Sequence, residues 1–262
     1  MRIVVCVKQV PDTSEVKIDP ETGTLIREGV PSIVNPFDQF ALEEGVRIRG
    51  IAGKGEVTAI SMGPSQARSA LMKCLALGAD RAILLCDEAF AGSDTLATSY
   101  ALSLAVKGLG SFDLILCGQQ AIDGDTGQVG PELAQHLMIP HLTYVERVSV
   151  EGRHVTAQKQ TDEGYEILKV KMPALLALVT PSDFVPGNPP FSKIVGAKSK
   201  PFETWGADRL GGSRERFGLR GSPTQVQRVF SPPRRERGTI LEAPPSEAAE
   251  KLTRLLLEEN LL

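Results

Sequence analysis

Short apolar runs alternate with amphipathic segments over the first 140 residues of the chain. Four mostly apolar runs, typical of strands buried on both faces of a parallel sheet, lie at residues 3–7, 57–61, 82–86 and 114–117. The segments that follow them have apolar residues at helical spacing and predict helices near residues 37–50, 67–77, 95–106 and 128–138. These four rounds of strand and helix predict an α/β fold: a doubly wound, mostly parallel sheet with helices on both faces.

The pattern of apolar residues changes after Pro140. Three runs in which apolar and polar residues alternate follow at residues 143–150, 154–160 and 167–171. Turn residues separate these runs, which predicts an antiparallel meander. The apolar run at residues 174–179 predicts a strand that returns to the core sheet. Nearer the N-terminus, a turn at residues 20–23 between two short alternating runs predicts a small hairpin.

Composition changes again beyond Thr180. Residues 181–240 are rich in proline, glycine and basic side chains, and such a composition forms a core poorly. An amphipathic helix is predicted at residues 247–260. We therefore expect an α/β domain over residues 1–180 and an extended arm over residues 181–262. The arm is expected to dock either on its own domain or on a partner chain.

Bulk composition excludes several classes of function. The net charge of -3 gives no basic footprint for nucleic acid. Four widely separated cysteines lack the spacing of metal ligands, which predicts buried thiols and a reducing, cytoplasmic location. No apolar run approaches the roughly 18 residues that a membrane-spanning helix needs. We expect neither a transmembrane segment nor a signal peptide.

A glycine-rich polar loop after the fourth strand is the main candidate for a binding site. Residues 117–130 have the sequence CGQQAIDGDTGQVG. The loop follows the carboxyl end of a strand, where open α/β sheets bind ligands, and its glycines let backbone N–H groups approach a phosphate at the following helix. Its two aspartates would repel a phosphate unless they bind ribose hydroxyls, cap the helix or hold another donor. A plain surface loop has the same composition, so both interpretations stay open.

Common catalytic motifs are absent from the sequence. No GxGxxG follows the first strand, and no GxxxxGK[ST] or GxSxG motif is present. The three histidines, His136, His141 and His154, have no partners at metal-ligand spacing. We therefore expect no catalytic and no metal-ligating residues, in a protein that binds a cofactor and leaves the chemistry to it.

Four segments resemble the β subunit of electron-transfer flavoproteins, and they occur in that family's order over nearly the whole chain. They are residues 7–12 (VKQVPD), 35–44 (NPFDQFALEE), 120–123 (QAID), and 157–168 (AQKQTDEGYEIL) followed by Pro173. The resemblance implies a heterodimer with an α subunit that carries an exchangeable FAD. It also implies that the β subunit holds an adenine nucleotide of its own.

The β-subunit nucleotide differs between two branches of this family. In the respiratory branch it is a structural AMP, and in the electron-bifurcating branch it is a second FAD. The compact loop at residues 123–131 (DGDTGQVGP) resembles the bifurcating branch, as do residues 92–98 (GSDTLAT) and 238–242 (GTILE). Gly127 is a mild departure, because Ala is expected there. The resemblance therefore favours FAD over AMP in this chain.

The resemblance also implies a path for electrons. In the bifurcating branch NADH gives a hydride to the β-subunit flavin, which passes one electron to the α-subunit flavin and the other to a low-potential acceptor such as ferredoxin or flavodoxin. A dehydrogenase of acyl-CoA type is a further expected partner, and NADH oxidation is expected only in complex with the α subunit. Two other classes stay open. One is a non-redox, nucleotide-binding regulatory module, and the other is a nucleotide-dependent enzyme acting alone, which the missing phosphate-transfer motifs weaken.

Family motifs assign site residues to matching positions of this chain. Residues 189–198 resemble the family's recognition loop, in which Phe191 and Ile194 are expected to contact the dehydrogenase. Packing of Phe191 on its own arm is the alternative. The expected nucleotide-binding residues are Cys6, Val7, Asn35, Pro36, Phe37, Asp38, Met62, Gly63, Asp94, Thr95, Thr98, Gln120, Asp123, Gly124, Asp125, Thr126, Gly127, Gln128, Val129 and Gly130.

Overall fold

Strands and helices alternate along the chain in a computed structural model that describes residues 1–12, 17–18, 25–26, 31–227, 238 and 240–262. The strands are β1 (Arg2–Cys6), β2 (Gln9–Pro11), β3 (Lys17–Ile18), β4 (Leu25–Ile26), β5 (Ser32–Val34), β6 (Glu56–Met62), β7 (Arg81–Leu85), β8 (Leu114–Gly118), β9 (His141–Glu151), β10 (His154–Thr161), β11 (Gly164–Lys171), β12 (Ala174–Leu178) and β13 (Phe202–Trp205). The helices are α1 (Pro36–Ile51), α2 (Arg68–Leu77), α3 (Thr95–Gly108), α4 (Val129–Leu137), α5 (Phe191–Ala197), α6 (Ala207–Leu210) and α7 (Pro245–Glu258).

One nine-stranded sheet organises the molecule, in the order β11-β10-β9-β12-β8-β1-β6-β7-β13. The strands from β9 to β13 in this order are parallel to their neighbours. Strands β10 and β11 complete the sheet in antiparallel pairing. The predicted doubly wound, mostly parallel α/β fold and its antiparallel meander are thus confirmed.

Alternate residues of the central strands contribute to two separate hydrophobic cores, one on each face of the sheet. Ile3 and Val5 of β1 face the layer of α1 and α2, whereas Val4 and Cys6 face the layer of α3 and α4. Successive side chains of a strand point to opposite faces, so a strand covered by helices on both sides must be apolar throughout. This is the physical reason that the central strands have continuous apolar sequences.

The direction of winding reverses between β1 and β8. From β1 the chain proceeds through β6 to β7 on one side, and β8 then returns to pair with β1 on its other side. At the carboxyl edge the Val7 N–H donates to the carbonyl of Ile60 in β6, at 2.8 Å. The Gln119 N–H donates instead to the carbonyl of Leu178 in β12, also at 2.8 Å. The chain segments that follow β1 and β8 therefore separate and leave an opening, which is the usual ligand site of open α/β sheets.

Two sequence predictions fall partly on residues outside the described ranges. The predicted hairpin is represented by β3 and β4, which pair antiparallel with Lys17 opposite Ile26. Its turn at residues 20–23 lies outside the described residues. Residue 239, within the 238–242 stretch, also lies outside them.

The segment expected to be an extended arm contributes to the main sheet. Residues 202–205 form β13 and pair with β7, with Phe202 opposite Ala82 and Trp205 opposite Leu85. The Trp205 ring is buried, and the Arg81 guanidinium donates to the Glu203 carboxylate across the two strands. The sequence pattern missed this strand because only four residues carry it among prolines, glycines and charges.

The C-terminal helix α7 has a different environment. None of its residues is buried against the described part of the chain. Leu252, Leu255 and Leu257 are exposed along it. Among the described residues, no helix has both the length and the apolar character needed to cross a lipid bilayer.

Replacement of a central core residue should destabilise this fold. Leu116 lies in β8 and is fully buried. We expect Leu116→Ala to lower the free energy of unfolding by about 2–5 kcal/mol because it leaves a cavity between the sheet and α1. Leu262→Ala, at an exposed terminal position, is the control and should change it by less than about 0.5 kcal/mol. Urea denaturation measures both variants, and equal effects would contradict the assigned core.

Candidate functional site

The turn at the start of α1 joins the two strand ends that border the opening. Asp38 is 6% exposed, and its Oδ2 accepts the N–H of Lys8 at 2.7 Å. Its Oδ1 accepts the N–H of Gly118 at 2.8 Å. A Cβ on Gly118 would lie 2.5 Å from Asp38 Oδ1 and 2.5 Å from Phe37 Cβ, so only glycine permits this approach. One carboxylate thus links the end of β8 to the segment that follows β1.

Burial controls the protonation of this carboxylate. Loss of hydration raises the pKa of Asp38 to about 7, although its hydrogen bonds from Lys8, Gly118 and Asn35 act in the opposite direction. Burial also raises the pKa of the nearby Cys6 thiol to about 12, so this thiol is neutral at neutral pH. The site therefore contains a carboxyl group that changes charge near neutral pH.

Asn35 holds the loop that follows β8. Asn35 is 1% exposed, and its Nδ2 donates to the carbonyl of Gln120 at 2.8 Å. Its Oδ1 accepts the N–H of Ile122 at 3.2 Å. A single buried amide thereby satisfies a donor and an acceptor of the loop backbone, which otherwise would lack partners in the protein.

Charged groups close the outer side of the opening. The Lys8 ammonium donates to both carboxylate oxygens of Asp123, at 2.7 and 2.8 Å. The Gln120 side chain donates to the carboxylate of Asp125, which has a left-handed backbone conformation with φ of 54°. The two aspartates of the loop are therefore each paired with a donor, which satisfies their carboxylates within the protein.

A second polar region continues along the same edge of the sheet. The Thr95 hydroxyl lies 3.1 Å from Gln128 Oε1 and 3.1 Å from Glu132 Oε1, which joins the start of α3 to the start of α4. Burial raises the pKa of Glu132, and the nearby Asp94 carboxylate adds to the shift. Glu132 Oε2 is buried and has no hydrogen-bond partner among the described residues. This region extends the polar edge from Gln128 of the glycine-rich loop to the start of α3.

The arm covers one end of this second region. Asp94 caps α3 by accepting the N–H of Ala97 at 3.0 Å. The Ser222 hydroxyl accepts the N–H of Asp94 at 2.8 Å, and the Thr224 N–H donates to Asp94 Oδ2 at 3.0 Å. A segment more than 120 residues away in sequence therefore forms part of the edge.

The glycine-rich loop has the features of an anion-binding site. At the start of α4 the N–H groups of Val129 and Gly130 have no intrahelical acceptor, whereas Pro131 has no N–H and the Glu132 N–H bonds to the carbonyl of Gln128 at 3.0 Å. Gly127 has a φ of 63°, which other residues rarely adopt. A Cβ on Gly124 would meet no atom within 4 Å, so there is open space beside the loop. Backbone N–H groups next to open space are what a phosphate group requires.

The expected site residues are brought to one edge of the sheet, in two groups. The 35–38 turn and the 120–125 loop contact each other directly, and Thr95 contacts Gln128. β6 ends at Met62 on the same edge, and the N–H of the next residue, Gly63, bonds to the carbonyl of Leu85. Cys6 and Val7 are buried, and Pro36 and Thr126 are exposed. The function of each of these residues in ligand binding stays a prediction.

Sequence reasoning missed four residues that take part in this arrangement. Lys8 and Glu132 had usable signals, because Lys8 follows the first strand and Glu132 lies one helical turn after Gln128. Ser222 and Thr224 had none, since only the folded arm brings them to α3.

The segment that resembles a recognition loop forms the exposed helix α5. Phe191 is 80% exposed and Ile194 is 45% exposed. The preceding chain is fixed on α1, because Phe184 packs edge-on against Phe40 and the Gly187 N–H donates to Glu43 at 2.8 Å. An apolar helix face is therefore presented to solvent from a firmly held base.

Fold and site together define a doubly wound α/β protein with a polar opening at the reversal of its sheet. A family model described as the electron transfer flavoprotein domain matches residues 22–210. The β subunit of the electron transfer flavoprotein of Clostridium acetobutylicum is 48% identical over 262 residues, which is 100% of each chain. The chain therefore belongs to the electron-transfer flavoprotein family and is a β-subunit homologue.

Other relatives have more specific names. CarD of the caffeyl-CoA reductase–Etf complex of Acetobacterium woodii is 46% identical over 266 residues, covering 100% of both chains. FixA of Sinorhizobium fredii is 44% identical over 248 residues, covering 92% of this chain and 86% of its own. The family resemblance predicted from the sequence is confirmed.

Removal of the Asn35 side chain should loosen the loop that it holds. In Asn35→Ala the carbonyl of Gln120 and the N–H of Ile122 lose their partner, which should cost about 1–3 kcal/mol locally. We expect amide hydrogen exchange in residues 119–125 to become at least about tenfold faster. Asn188→Ala, at an exposed position, should leave this exchange unchanged. Unaltered exchange in Asn35→Ala would contradict the assigned anchoring of the loop.

Proposed function

We propose that this chain is the β subunit of a heterodimeric electron-transfer flavoprotein and that FAD binds in its opening between β1 and β8. The observation that carries the proposal is the meeting of Lys8, the 35–38 turn and the 119–130 loop at the reversal point of the sheet. Open α/β sheets bind nucleotides at this position. Membership of a flavoprotein family makes an adenine nucleotide the ligand class that agrees with both the geometry and the relatives.

The length of the polar edge supports FAD rather than AMP. The polar edge begins at the loop of residues 120–130 and continues from Gln128 to Thr95 and Glu132. AMP would occupy only the first part, whereas a dinucleotide would extend over both. The compact loop after Ile122 is the sequence feature that agrees with this choice.

FAD, when bound, supplies the electron-transfer chemistry, and the protein binds and orients it. The N–H groups at the start of α4 and the Lys8 ammonium favour phosphate oxygens. Asp123 or Asp125 can accept hydrogen bonds from ribose hydroxyls. The Lys8 ammonium and the Asp123 carboxylate neutralise each other when neither group contacts a ligand. No side chain of this chain is proposed to act as a catalyst.

The proposed partner of α7 and of the arm is the α subunit, which carries a further FAD. The exposed leucines of α7 need a covering surface, and the described part of this chain provides none. A relative is named as a subunit of a caffeyl-CoA reductase complex, which supports a dehydrogenase of acyl-CoA type as a second partner. NADH as donor and ferredoxin or flavodoxin as acceptor complete the bifurcating form. Free thiols agree with a location in the cytoplasm.

Cofactor content tests this function. We expect the heterodimer, purified and then denatured, to release two FAD and no AMP. Chromatography against nucleotide standards measures both. One FAD with one AMP would keep the nucleotide site but would make this chain a respiratory-type subunit. Release of no nucleotide beyond the FAD of the α subunit would contradict the site itself.

Exposed Phe191 is proposed to anchor the dehydrogenase. Phe191→Ala should weaken the complex by about 2 kcal/mol, roughly thirtyfold, because the ring can no longer fill a pocket in the partner. Ile51→Ala, an exposed position at the end of α1, is the matched control and should bind normally. Flavin-reduction kinetics at varied dehydrogenase concentration measure the effect. Flavin content should be unchanged, and loss of flavin in Phe191→Ala would contradict a docking role.

A further inference from the structure

The buried carboxylate of Asp38 is poorly placed to be a ligand for the nucleotide. Its side chain lies beneath the opening, and each of its oxygens already accepts a backbone N–H. A group that contacted the nucleotide would need an accessible atom at the opening, and Asp38 is only 6% exposed. The function of Asp38 must therefore be carried out through the residues that it holds.

We propose that Asp38 is a positioning residue that sets the separation of the chain segments following β1 and β8, and that nucleotide affinity requires it to be a carboxylate. This inference rests on the proposed nucleotide site. It assigns to Asp38 a function distinct from that of the residues that touch the ligand.

Hydrogen bonds on both sides of the opening hold the segments that follow β1 and β8. Val7 bonds outward to β6 and Gln119 bonds outward to β12, so the ladder between β1 and β8 ends there. The N–H groups of Lys8 and Gly118 then turn inward to Asp38. The carbonyl of Lys8 accepts the N–H of Asn35 at 2.9 Å, so both backbone groups of Lys8 are held by the same turn. Asp38 is thus the buried link between the two segments, in addition to the exposed Lys8–Asp123 ion pair.

Only the ionised form can accept both of these hydrogen bonds in the same way. A protonated carboxyl group has one oxygen that carries a hydrogen, and that hydrogen would face the N–H of Lys8 or Gly118. An asparagine presents the same conflict, because its amide nitrogen is a donor. Asp38→Asn is therefore a mimic of the protonated state with nearly the same shape.

The surroundings of Asp38 place this change of charge near neutral pH. The titratable groups that face it are Cys6 of β1, Cys117 of β8, Cys74 of α2 and Lys8. Burial raises the pKa of all three thiols well above the neutral range, which leaves Lys8 as the charged group among them. Burial raises the pKa of Asp38 itself to about 7. Because binding requires the carboxylate, affinity should be complete above this pKa and should fall as the pH decreases through it.

Before the test, bound nucleotide is removed from the β-subunit site while the FAD of the α subunit is retained. Equilibrium dialysis of this heterodimer with radiolabelled AMP, whose structure is contained in FAD, tests the inference, with FAD as a parallel probe. At about pH 8.5 we expect Asp38→Asn to bind about tenfold or more weakly than the wild type, because a hydrogen bond to a charged group is lost. The wild-type affinity should fall by up to about tenfold per pH unit below the pKa of Asp38. The phosphate of AMP also titrates, near pH 6. This titration affects the wild type and Asp38→Asn equally, so the ratio of their affinities reports only the contribution of Asp38.

A second variant keeps the test independent of how well Asp38→Asn folds. Gly118→Ala places a Cβ against Asp38 Oδ1 and should displace the carboxylate without removing it. It should weaken binding as Asp38→Asn does. Gly50→Ala, where a Cβ meets nothing within 4 Å, should bind normally. Equal affinity of Asp38→Asn and the wild type across the pH range would overturn the inference and leave the nucleotide site intact. A wild type that binds neither probe would overturn the proposed function as well.

Discussion

The reversal of the sheet between β1 and β8 is the constraint on which the rest of this structure depends. Beyond this point the chain that follows β1 bonds to β6, and the chain that follows β8 bonds to β12. Backbone N–H groups that border the gap therefore find no acceptor on the strand across it. An open gap with free backbone donors would cost free energy if it were buried without partners. The turn at residues 35–38 supplies these partners through the Asp38 carboxylate and the Asn35 amide. The same hydrogen bonds fix the two sides of the opening relative to each other.

The main sheet was predictable because its physics is local and repeated. A strand covered on both faces is apolar throughout, and a helix on a sheet shows a stripe of apolar residues. Both signals occur four times before residue 140. Strand β13 was not predictable, because four residues carry too short a pattern and its stability depends on Trp205, Arg81 and Glu203 meeting across the edge.

The candidate site was predictable in its location but only partly in its composition. Glycines and aspartates after β8 indicated a binding loop, yet a plain loop would look the same. The structure adds the contacts that hold this loop, made by Asn35, Asp38 and Lys8, which lie about 80 or more residues away from the loop in sequence. The contribution of Ser222 and Thr224 depends on the path of the arm and had no sequence signal at all. Long-range hydrogen bonds of this kind have no periodicity that a sequence pattern could reveal.

The central claim is that an adenine nucleotide binds where β1 and β8 separate. Photo-crosslinking of the heterodimer with 8-azido-AMP, followed by mass spectrometry of the labelled peptides, tests it most directly. We expect labels in this chain within residues 6–12, 35–38 or 119–130, and competition by unlabelled FAD. Labels confined to the opposite edge of the sheet, near Glu56 and Arg81 at the amino ends of β6 and β7, would contradict it.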